Sequence, residues 1–341
     1  MKNAKYDSMN QIIELYKREG ELFSVTIELT SYCNWHCEHC YFDNYTIKGF
    51  SLFQFKKLLG NLREMGVFEL VITGGEVFCH PQVMDMITIA REMFFNVVIY
   101  SNISILNEEK IKRLAQLEID YISCTVFSLD EQIHDEISQT KGALKKVLKN
   151  IELLQRYGIA VAIKTPIMRK NYYAYVELKQ FCEEMNIAYK VDAQIVPKRS
   201  EYLTGSNLSL SFNQLCEIQE DIDTINGTIL IDKSKNYKTC QSLEVSIYIT
   251  CTGEVQPCSL YNKSLGNINS ENIKDIWKSI RRRVLATYSL ANSKNCSKCA
   301  LINYCTQCPG IAFAESGDST VCAQICQRTA QARKVKNETV Y

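Results

Sequence analysis

The sequence lacks an excess of charge of either sign. Its 39 lysine and arginine residues are almost balanced by 38 aspartate and glutamate residues, which leaves a formal net charge of +1. A chain so close to neutral has no overall electrostatic field that would draw it to polyanions or to an anionic membrane. We therefore predict no nucleic-acid partner and no membrane partner.

The sequence also lacks long uncharged apolar segments. The first twenty residues contain no run of about seven apolar residues behind a basic start, which is the pattern of an export signal. No segment approaches the roughly eighteen apolar residues that a membrane-spanning helix needs. We predict a protein that is neither secreted nor membrane-spanning, and we place it in the cytoplasm.

Cysteine, by contrast, is abundant, with sixteen residues in a chain of 341. In a small secreted domain such a number would indicate disulfides. This chain is large and carries no export signal, so reduced thiols are better interpreted as metal ligands. Two groups stand out, one between Cys33 and Cys40 and the other between Cys240 and Cys326.

Short apolar strand patterns alternate with amphipathic helical patterns between Phe23 and Ile195, which is typical of βα units and a parallel sheet. The predicted strands are Phe23–Leu29, Phe68–Thr73, Asn96–Tyr100, Tyr121–Thr125, Ala160–Lys164 and Tyr189–Ile195. The predicted helices are Ser51–Met65, Pro81–Met93, Asn107–Gln116, Ala143–Tyr157 and Tyr172–Met185, with Ser51 and Asn107 as N-caps.

Six βα units are too few to close an eight-stranded barrel. We therefore predict an α/β fold built on an open, partial (β/α)6 barrel of the TIM type, in which the missing side admits a large substrate. An ordinary doubly wound sheet also satisfies the strand count. In both architectures the chemistry lies at the C-terminal ends of the strands.

The chain changes character after the barrel pattern. Residues 197–239 are polar, with only a weak helical pattern, and we interpret them as a bridge. The sequence then becomes cysteine-rich, and a hairpin is predicted around Thr252-Gly253, between Ser246–Ile249 and Glu254–Pro257. We divide the chain into an N-terminal extension (1–22), a barrel (23–196), the bridge (197–239), a cysteine-rich domain (240–333) and a tail (334–341).

The first cysteine group, Cys33-x3-Cys37-x2-Cys40, follows directly on a predicted strand. Three sulfurs on so short a loop can hold three corners of a cubic iron-sulfur cluster, whereas such clusters normally take four thiolates. The open iron is then a coordination site for another molecule. The alternative is a zinc site, for which His36 or His39 would supply the fourth ligand.

The segment SYCNWHCEHCY resembles the signature loop of the radical S-adenosylmethionine (SAM) superfamily, with His39 as the ring residue before the last cysteine. The resemblance implies a 4Fe-4S cluster whose open iron chelates the methionine part of SAM. It further implies that one electron, from a reducing partner such as a flavodoxin or ferredoxin, cleaves SAM to a 5′-deoxyadenosyl radical. The cofactor performs the difficult chemistry, and the protein orients and shields it.

A second motif, Gly74-Gly75-Glu76, follows the second predicted strand. Glycines allow close approach of the backbone to a ligand, and the family resemblance implies that this motif hydrogen-bonds the methionine amino group. It also implies weaker SAM contacts after the third, fourth and fifth strands. The residues concerned are Ser101, Asn102, Ser123 and Lys164, each of which also fits a capping or solvated polar role.

The C-terminal cysteines resemble the SPASM extension, which carries two further 4Fe-4S clusters. Only the x2 spacing between Cys305 and Cys308 departs from the family's x3. The resemblance implies an outer cluster on Cys296, Cys299, Cys305 and Cys326, and an inner cluster on Cys240, Cys258 and Cys308. Cys251 is a candidate fourth inner ligand, and Cys322 is the alternative late ligand. Two zinc ions in a ribbon are the competing interpretation.

Four cysteines are isolated in the sequence, and we interpret them as small buried hydrophobes. They are Cys79, Cys124, Cys182 and Cys216. Cys79 lies three residues after Glu76, so it is also a candidate hydrogen-atom donor near the active site.

The family resemblance implies an enzyme acting on a peptide or protein. Pro257-Cys258 is followed by Ser259, where sulfatase-maturing relatives carry an acidic general base. The stretch from HDEIS through KTPIMRKN resembles the branch that matures ribosomally made peptides. We therefore predict a peptide maturase that installs a thioether or other cross-link, and we rank peptide epimerisation and sulfatase maturation below it.

Fewer than twenty-five residues precede the first predicted strand, so we expect leader recognition by a separate protein or by the barrel mouth. Two other classes of protein remain as alternatives: a non-catalytic iron-sulfur electron carrier and a zinc-binding interaction module.

Overall fold

The computed structural model describes residues 2–199, 207–234, 236–240 and 242–339. Within these residues nine strands form one sheet: β1 (Ser24–Glu28), β2 (Glu69–Thr73), β3 (Asn96–Tyr100), β4 (Tyr121–Thr125), β5 (Ala160–Pro166), β6 (Ala188–Asp192), β7 (Ser246–Ile249), β8 (Glu254–Gln256) and β9 (Gly266–Asn267). The helices are α1 (Lys2–Glu19), α2 (Leu52–Glu64), α3 (Val83–Glu92), α4 (Glu108–Gln116), α5 (Glu131–Ser138), α6 (Ala143–Arg156), α7 (Ala174–Glu184), α8 (Phe212–Asn226), α9 (Ser242–Val245), α10 (Ile273–Lys278), α11 (Ile280–Ala286), α12 (Pro309–Ser316) and α13 (Gln324–Thr339).

The first six strands are parallel, and each pairs with the next one along the chain. A doubly wound sheet would reverse its strand order at a switch point. The unbroken order from β1 to β6 instead confirms the predicted partial barrel. All six predicted strands are present, with their ends shifted by at most a few residues.

Local sequence explains why the helices begin where they do. Ser51 caps α2 in a capping box, in which its side chain accepts from the Gln54 N–H and Gln54 reaches back to the Ser51 backbone. The Asn107 side chain accepts from the Lys110 N–H at the start of α4. Both predicted caps are therefore confirmed. In each of them a short polar side chain satisfies a backbone donor that the helix leaves free.

The core lies between the sheet and the helices that follow each strand. The central residues of β2 and β3 are buried on both faces, as expected for parallel strands covered by helices. Helix α6 buries an apolar stripe at Leu144, Val147, Ile151 and Leu154, which recur at helical spacing. This rigid support holds the loops at the C-terminal ends of the strands in place.

The predicted bridge contains a full helix. The Ser211 side chain caps α8, and Gly227 ends it in the left-handed conformation, with φ +64°. Apolar residues of α8 pack against β6 and α13. Helix α13 runs across the predicted boundary at residue 333, while parts of the bridge (200–206 and 235) and the end of the tail (340–341) lie outside the described residues. The domain boundaries themselves stay predictions.

The predicted hairpin is present, with Tyr248 paired to Gln256 across β7 and β8 and Gly253 in the turn at φ +84°. Strand β7 also pairs in parallel with β1, in the register Val25 to Ile247. The cysteine-rich part of the chain therefore extends the barrel sheet at its β1 edge. Among the helices in the described ranges, none combines the length and apolar character needed to cross a membrane.

Candidate active site

A cavity of about 200 Å³ lies at the C-terminal ends of strands β1 to β5. Its wall brings together nearly all of the residues that the sequence predicts for SAM and for the first cluster. They are Cys33, Cys37, His39, Cys40, Gly74, Gly75, Ser101, Asn102, Ser123 and Lys164. These residues come from five separate segments of the chain, so the fold assembles them as the predicted barrel requires.

The cysteine loop presents three half-buried thiols to this cavity. The Trp35 N–H donates to the Cys33 sulfur at 3.4 Å, and the Asn102 amide lies 4.0 Å from the same atom. Burial raises the pKa of Cys33 to about 12 and that of Cys37 well above its ordinary value. Thiolates in such a place need a positive partner, which cluster iron provides.

Within the described part of the chain, no three Cys, His, Asp or Glu side chains are grouped as the ligands of a single metal ion would be. The thiols of Cys33, Cys37 and Cys40 line one cavity wall, and the Cys40 and Cys33 thiols are charged neighbours of Cys37. A four-iron cube needs sulfurs at separate corners. The donor set therefore fits a cluster with one open iron.

Gly74 and Gly75 pack directly against the backbone of the cysteine loop. The Gly75 N–H donates to the Thr30 carbonyl at 2.9 Å. A Cβ atom on Gly75 would lie 2.4 Å from the Ser31 carbonyl oxygen and 2.5 Å from that of Tyr32. Glycine is required here by contact between two backbones, in addition to the ligand approach expected from the sequence.

Glu76 lies behind the cavity wall and is completely buried. Its carboxylate accepts from the Phe78 N–H at 3.0 Å, the Ser101 hydroxyl at 2.7 Å and the Asn102 N–H at 2.6 Å. Burial raises the pKa of Glu76, and these hydrogen bonds oppose the shift. The side chain predicted to contact SAM therefore holds the Ser101-Asn102 segment in place.

Changing Glu76 to Gln is expected to lower the free energy of unfolding by about 1–3 kcal/mol, because an NH2 group then faces a buried donor. Chemical denaturation of the reconstituted protein measures this change. Glu109→Gln is the control, since Glu109 is exposed on α4 and should shift stability by less than about 0.5 kcal/mol. If the Glu76 variant and the control are equally stable, Glu76 does not hold the Ser101-Asn102 segment in place.

The cavity wall is also aromatic and carries one lysine. The His39 ring meets Phe127 edge-on at 5.2 Å, and burial lowers the pKa of His39 to about 4, so the ring is neutral near pH 7. The Lys164 ammonium lies 3.8 Å above the Tyr100 ring. Sequence reasoning missed the aromatic wall residues Trp35, Tyr41, Phe42, Tyr100 and Phe127. The positions of Trp35 between Cys33 and Cys37, and of Tyr41-Phe42 directly after Cys40, could have indicated three of them.

Cys240 and Cys308 are charged neighbours of Cys258, and these are the three residues that the sequence predicts for the inner cluster. Burial raises the pKa of Cys258 to about 11, and the nearby Cys308 and Cys240 thiols contribute to that rise. Cys251 is buried elsewhere. Its N–H donates to the Glu28 carboxylate at 3.2 Å, so it lies beside β1.

Cys322 joins the outer group of cysteines. Its thiol donates a hydrogen bond to the Cys296 sulfur, and this bond lowers the pKa of Cys296. Cys299 and Cys305 are further charged neighbours of Cys322. Cys326, which the sequence favoured for this group, is buried between Cys305 and Cys308. The Cys308 N–H donates to its sulfur.

The isolated cysteines lie outside the cavity wall. Cys124 and Cys182 are buried, as predicted, and Cys216 is half-buried on α8. Cys79 ends a turn of 3-10 helix at Val77–Cys79, and its sulfur accepts from the Asn34 N–H. It is not among the residues that line the cavity, although it lies near Cys33.

Two family models match the chain. Residues 27–182 match the radical SAM superfamily, and residues 240–309 match the SPASM iron-sulfur cluster-binding domain. The cavity and the first cysteine group lie in the first match. The second match contains the inner and outer cysteines up to Cys308 but ends before Cys322 and Cys326.

Individual proteins resemble the chain over most of its length. It is 27% identical to the antilisterial bacteriocin subtilosin biosynthesis protein AlbA of Bacillus subtilis (strain 168), over 83% of this chain and 66% of AlbA, just under two thirds of that protein. An AdoMet-dependent heme synthase of Oleidesulfovibrio alaskensis is 22% identical, over 90% of this chain and 87% of the synthase. The fold is similar to that of Streptococcus suis SuiB bound to precursor peptide SuiA, with a TM-score of 0.71 and 17% identity over 94% of this chain and 80% of SuiB.

Proposed function

Because this chain belongs to the radical SAM superfamily and carries a SPASM domain, we propose that it matures a ribosomally made peptide by installing a thioether or other cross-link. The observation that carries the proposal is the cavity at the barrel mouth, where three thiols, two glycines and a lysine meet. SAM and 4Fe-4S clusters are the cofactors of this family, and the donor set fits them.

We assign the first cluster to Cys33, Cys37 and Cys40, and SAM to the remaining cavity residues. With both bound, the chemistry supplied is reductive cleavage of SAM to a 5′-deoxyadenosyl radical. The protein's part is to hold and shield. Asn102 and Trp35 donate toward Cys33, and Gly75 fixes the loop. Lys164 offers a cation to the carboxylate of SAM, and the aromatic wall excludes water.

A peptide substrate is supported by two of the similar proteins. AlbA is named for the biosynthesis of a bacteriocin, and SuiB binds a precursor peptide. In cross-linking, one hydrogen atom leaves a substrate carbon for the deoxyadenosyl group. Closure onto sulfur or carbon then releases a proton and one electron, so the peptide loses two hydrogens in total. We propose that the SPASM cysteines hold the clusters that accept this electron.

A second candidate is modification of a tetrapyrrole, because heme synthases align with nearly the whole chain. Peptide epimerisation needs a hydrogen donor at the substrate, and Cys79 does not line the cavity. Sulfatase maturation needs a base beside Cys258, and Ser259 stands there. We therefore rank all three below peptide cross-linking.

We propose a cytoplasmic location, where the sixteen unpaired thiols stay reduced. A flavodoxin or ferredoxin would supply the electron that SAM cleavage needs. A separate leader-binding protein is the partner we propose for recognition of the precursor.

We also propose that Cys322 is the fourth outer ligand and that Cys326 completes the inner set, in place of the allocation expected from the sequence. Changing Cys322 to Ala should then lower iron by up to about four atoms per chain, because one cluster loses a ligand. Cys326→Ala should affect the inner cluster instead. Iron and sulfide counts with electron paramagnetic resonance (EPR) of the reconstituted variants distinguish the two losses.

Cys216→Ala is the matched control for both changes, since Cys216 is half-buried on α8, apart from the two cysteine groups. It should retain the full iron content. The proposal is contradicted if the Cys322 variant keeps full iron and an unchanged outer-cluster signal while the Cys326 variant loses that signal. Cys326 would then be the fourth outer ligand, as the sequence predicts.

The test of function uses anaerobically reconstituted enzyme with reductant, SAM and short peptides encoded beside the gene. Deoxyadenosine together with a peptide lighter by two hydrogens supports cross-linking. Deoxyadenosine together with a change in mass of a tetrapyrrole added to the same reaction, and no change in any peptide, would favour the tetrapyrrole alternative.

A further inference from the structure

A buried ion pair lies where the two halves of the chain meet. Glu28 is the last residue of β1 and its side chain is 0% exposed. Its carboxylate contacts the Arg199 guanidinium and the Tyr248 hydroxyl, and it accepts from the Cys251 N–H at 3.2 Å. A carboxylate removed from water in this way needs a cation and several donors, and Arg199 supplies the cation.

Arg199 also holds the cysteine loop. Its guanidinium carbon lies 4.9 Å from the ring centroids of both Tyr41 and Phe42, and its backbone N–H donates to the Tyr41 carbonyl at 3.1 Å. Tyr41 and Phe42 follow Cys40 directly and form part of the cavity wall. Displacement of Arg199 would therefore remove the contacts that hold Tyr41 and Phe42, which directly follow the loop that carries the first cluster.

The same residue reaches the SPASM side. The Asn262 amide donates to the Arg199 carbonyl at 3.3 Å, and the Arg199 guanidinium lies 3.4 Å from the hydroxyl of Tyr248 on β7. One arginine thus contacts the end of β1, the cysteine loop and the first strand of the cysteine-rich part. A planar guanidinium suits this position because it can pair with a carboxylate and stack on rings at once.

We propose that Arg199 is a positioning residue, which holds Tyr41 and Phe42 against Glu28 and so sets the shape of the SAM cavity. This inference rests on the proposed SAM-cleaving function. Arg199 does not itself line the cavity. Small misplacements of a binding group cost about tenfold to a hundredfold, so Arg199→Met should raise the KM for SAM by about tenfold, with a smaller change in kcat for deoxyadenosine.

Two further variants distinguish an effect on the position of Tyr41 and Phe42 from a general loss of protein stability. The double variant Glu28→Gln with Arg199→Met removes both charges, so it should recover thermal stability relative to Arg199→Met while keeping the raised KM. Arg199→Lys keeps the cation but loses the stacked plane, and it should give an intermediate KM. The EPR signal of the first cluster, recorded with and without SAM, reports the altered binding independently of turnover.

Arg333→Met is the matched control. Arg333 is an ion-pair partner whose side chain is 6% exposed, against 19% for Arg199. It is bonded to Asp223 through Nε at 2.8 Å and Nη2 at 2.6 Å, and it lies outside the cavity wall. The proposal predicts a normal KM for SAM in this variant. It is overturned if Arg199→Met and Arg333→Met raise KM equally, or if the double variant returns KM to the wild-type value. Deoxyadenosine from the wild type tests the proposed SAM cleavage separately, so the two can fail independently.

Discussion

Alanine in place of Cys37 is expected to abolish the proposed deoxyadenosine formation from SAM, because two remaining thiols cannot hold the first cluster at this site. We expect a loss of about four irons per chain relative to the wild type. The Cys37 thiol is half-buried beside Cys33 and Cys40, and those two thiols are its charged neighbours. Without a third ligand, the Cys33 thiol returns to the neutral form that burial favours.

Cys182→Ala is the control for this change, since Cys182 is 1% exposed and lies on α7 outside the cavity wall. It should retain full iron and full deoxyadenosine formation. High-performance liquid chromatography of the quenched anaerobic reaction measures the nucleoside, and a colorimetric assay measures the iron. Undiminished deoxyadenosine in the Cys37 variant would contradict the cluster assignment.

Alanine at Gly75 has the second largest expected effect. The added methyl group would lie 2.4 Å from one loop carbonyl and 2.5 Å from another, so the cysteine loop must move away from β2. That movement breaks the bonds from the Gly75 N–H to Thr30 and from the Glu76 N–H to Tyr32. We expect a poorly loaded first cluster and at least about a hundredfold slower SAM cleavage, by analogy with misplaced catalytic groups.

Gly60→Ala is the matched change, since nothing lies within 4 Å of the added Cβ and Gly60 is inside α2. Alanine there should stabilise the helix by up to about 1 kcal/mol. Iron content, deoxyadenosine rate and thermal melting are compared for the two variants. A Gly75 variant that loads and cleaves SAM like the Gly60 variant would show that the loop contact is unimportant.

The sequence predicts the barrel well because its strands are short apolar runs and its helices carry local caps such as Ser51 and Asn107. Strand β7 shows why other features escape prediction. Its local pattern indicates a hairpin, but its pairing with β1 joins residues more than two hundred positions apart. Nothing in the local pattern specifies such a partner.

In the site, too, the features set by neighbouring residues are predictable from the sequence, and those set by residues far apart in the chain are not. The spacing of Cys33, Cys37 and Cys40 predicts one loop, and the structure brings all three to one cavity. Glu76 has the appearance of a ligand in sequence, yet it is buried, and two of its three donors, Ser101 and Asn102, lie on another segment. Arg199 carried no signal, because its importance arises only from contact with Glu28 and the cysteine loop.

The central claim is that the chain cleaves SAM and uses the radical on a peptide. The most direct test incubates reconstituted enzyme, reductant and SAM with the peptides encoded beside the gene, and reads deoxyadenosine and peptide mass together. We predict deoxyadenosine together with a peptide that has lost two hydrogens. Cluster-replete enzyme that yields no deoxyadenosine, with or without peptide, would contradict the account.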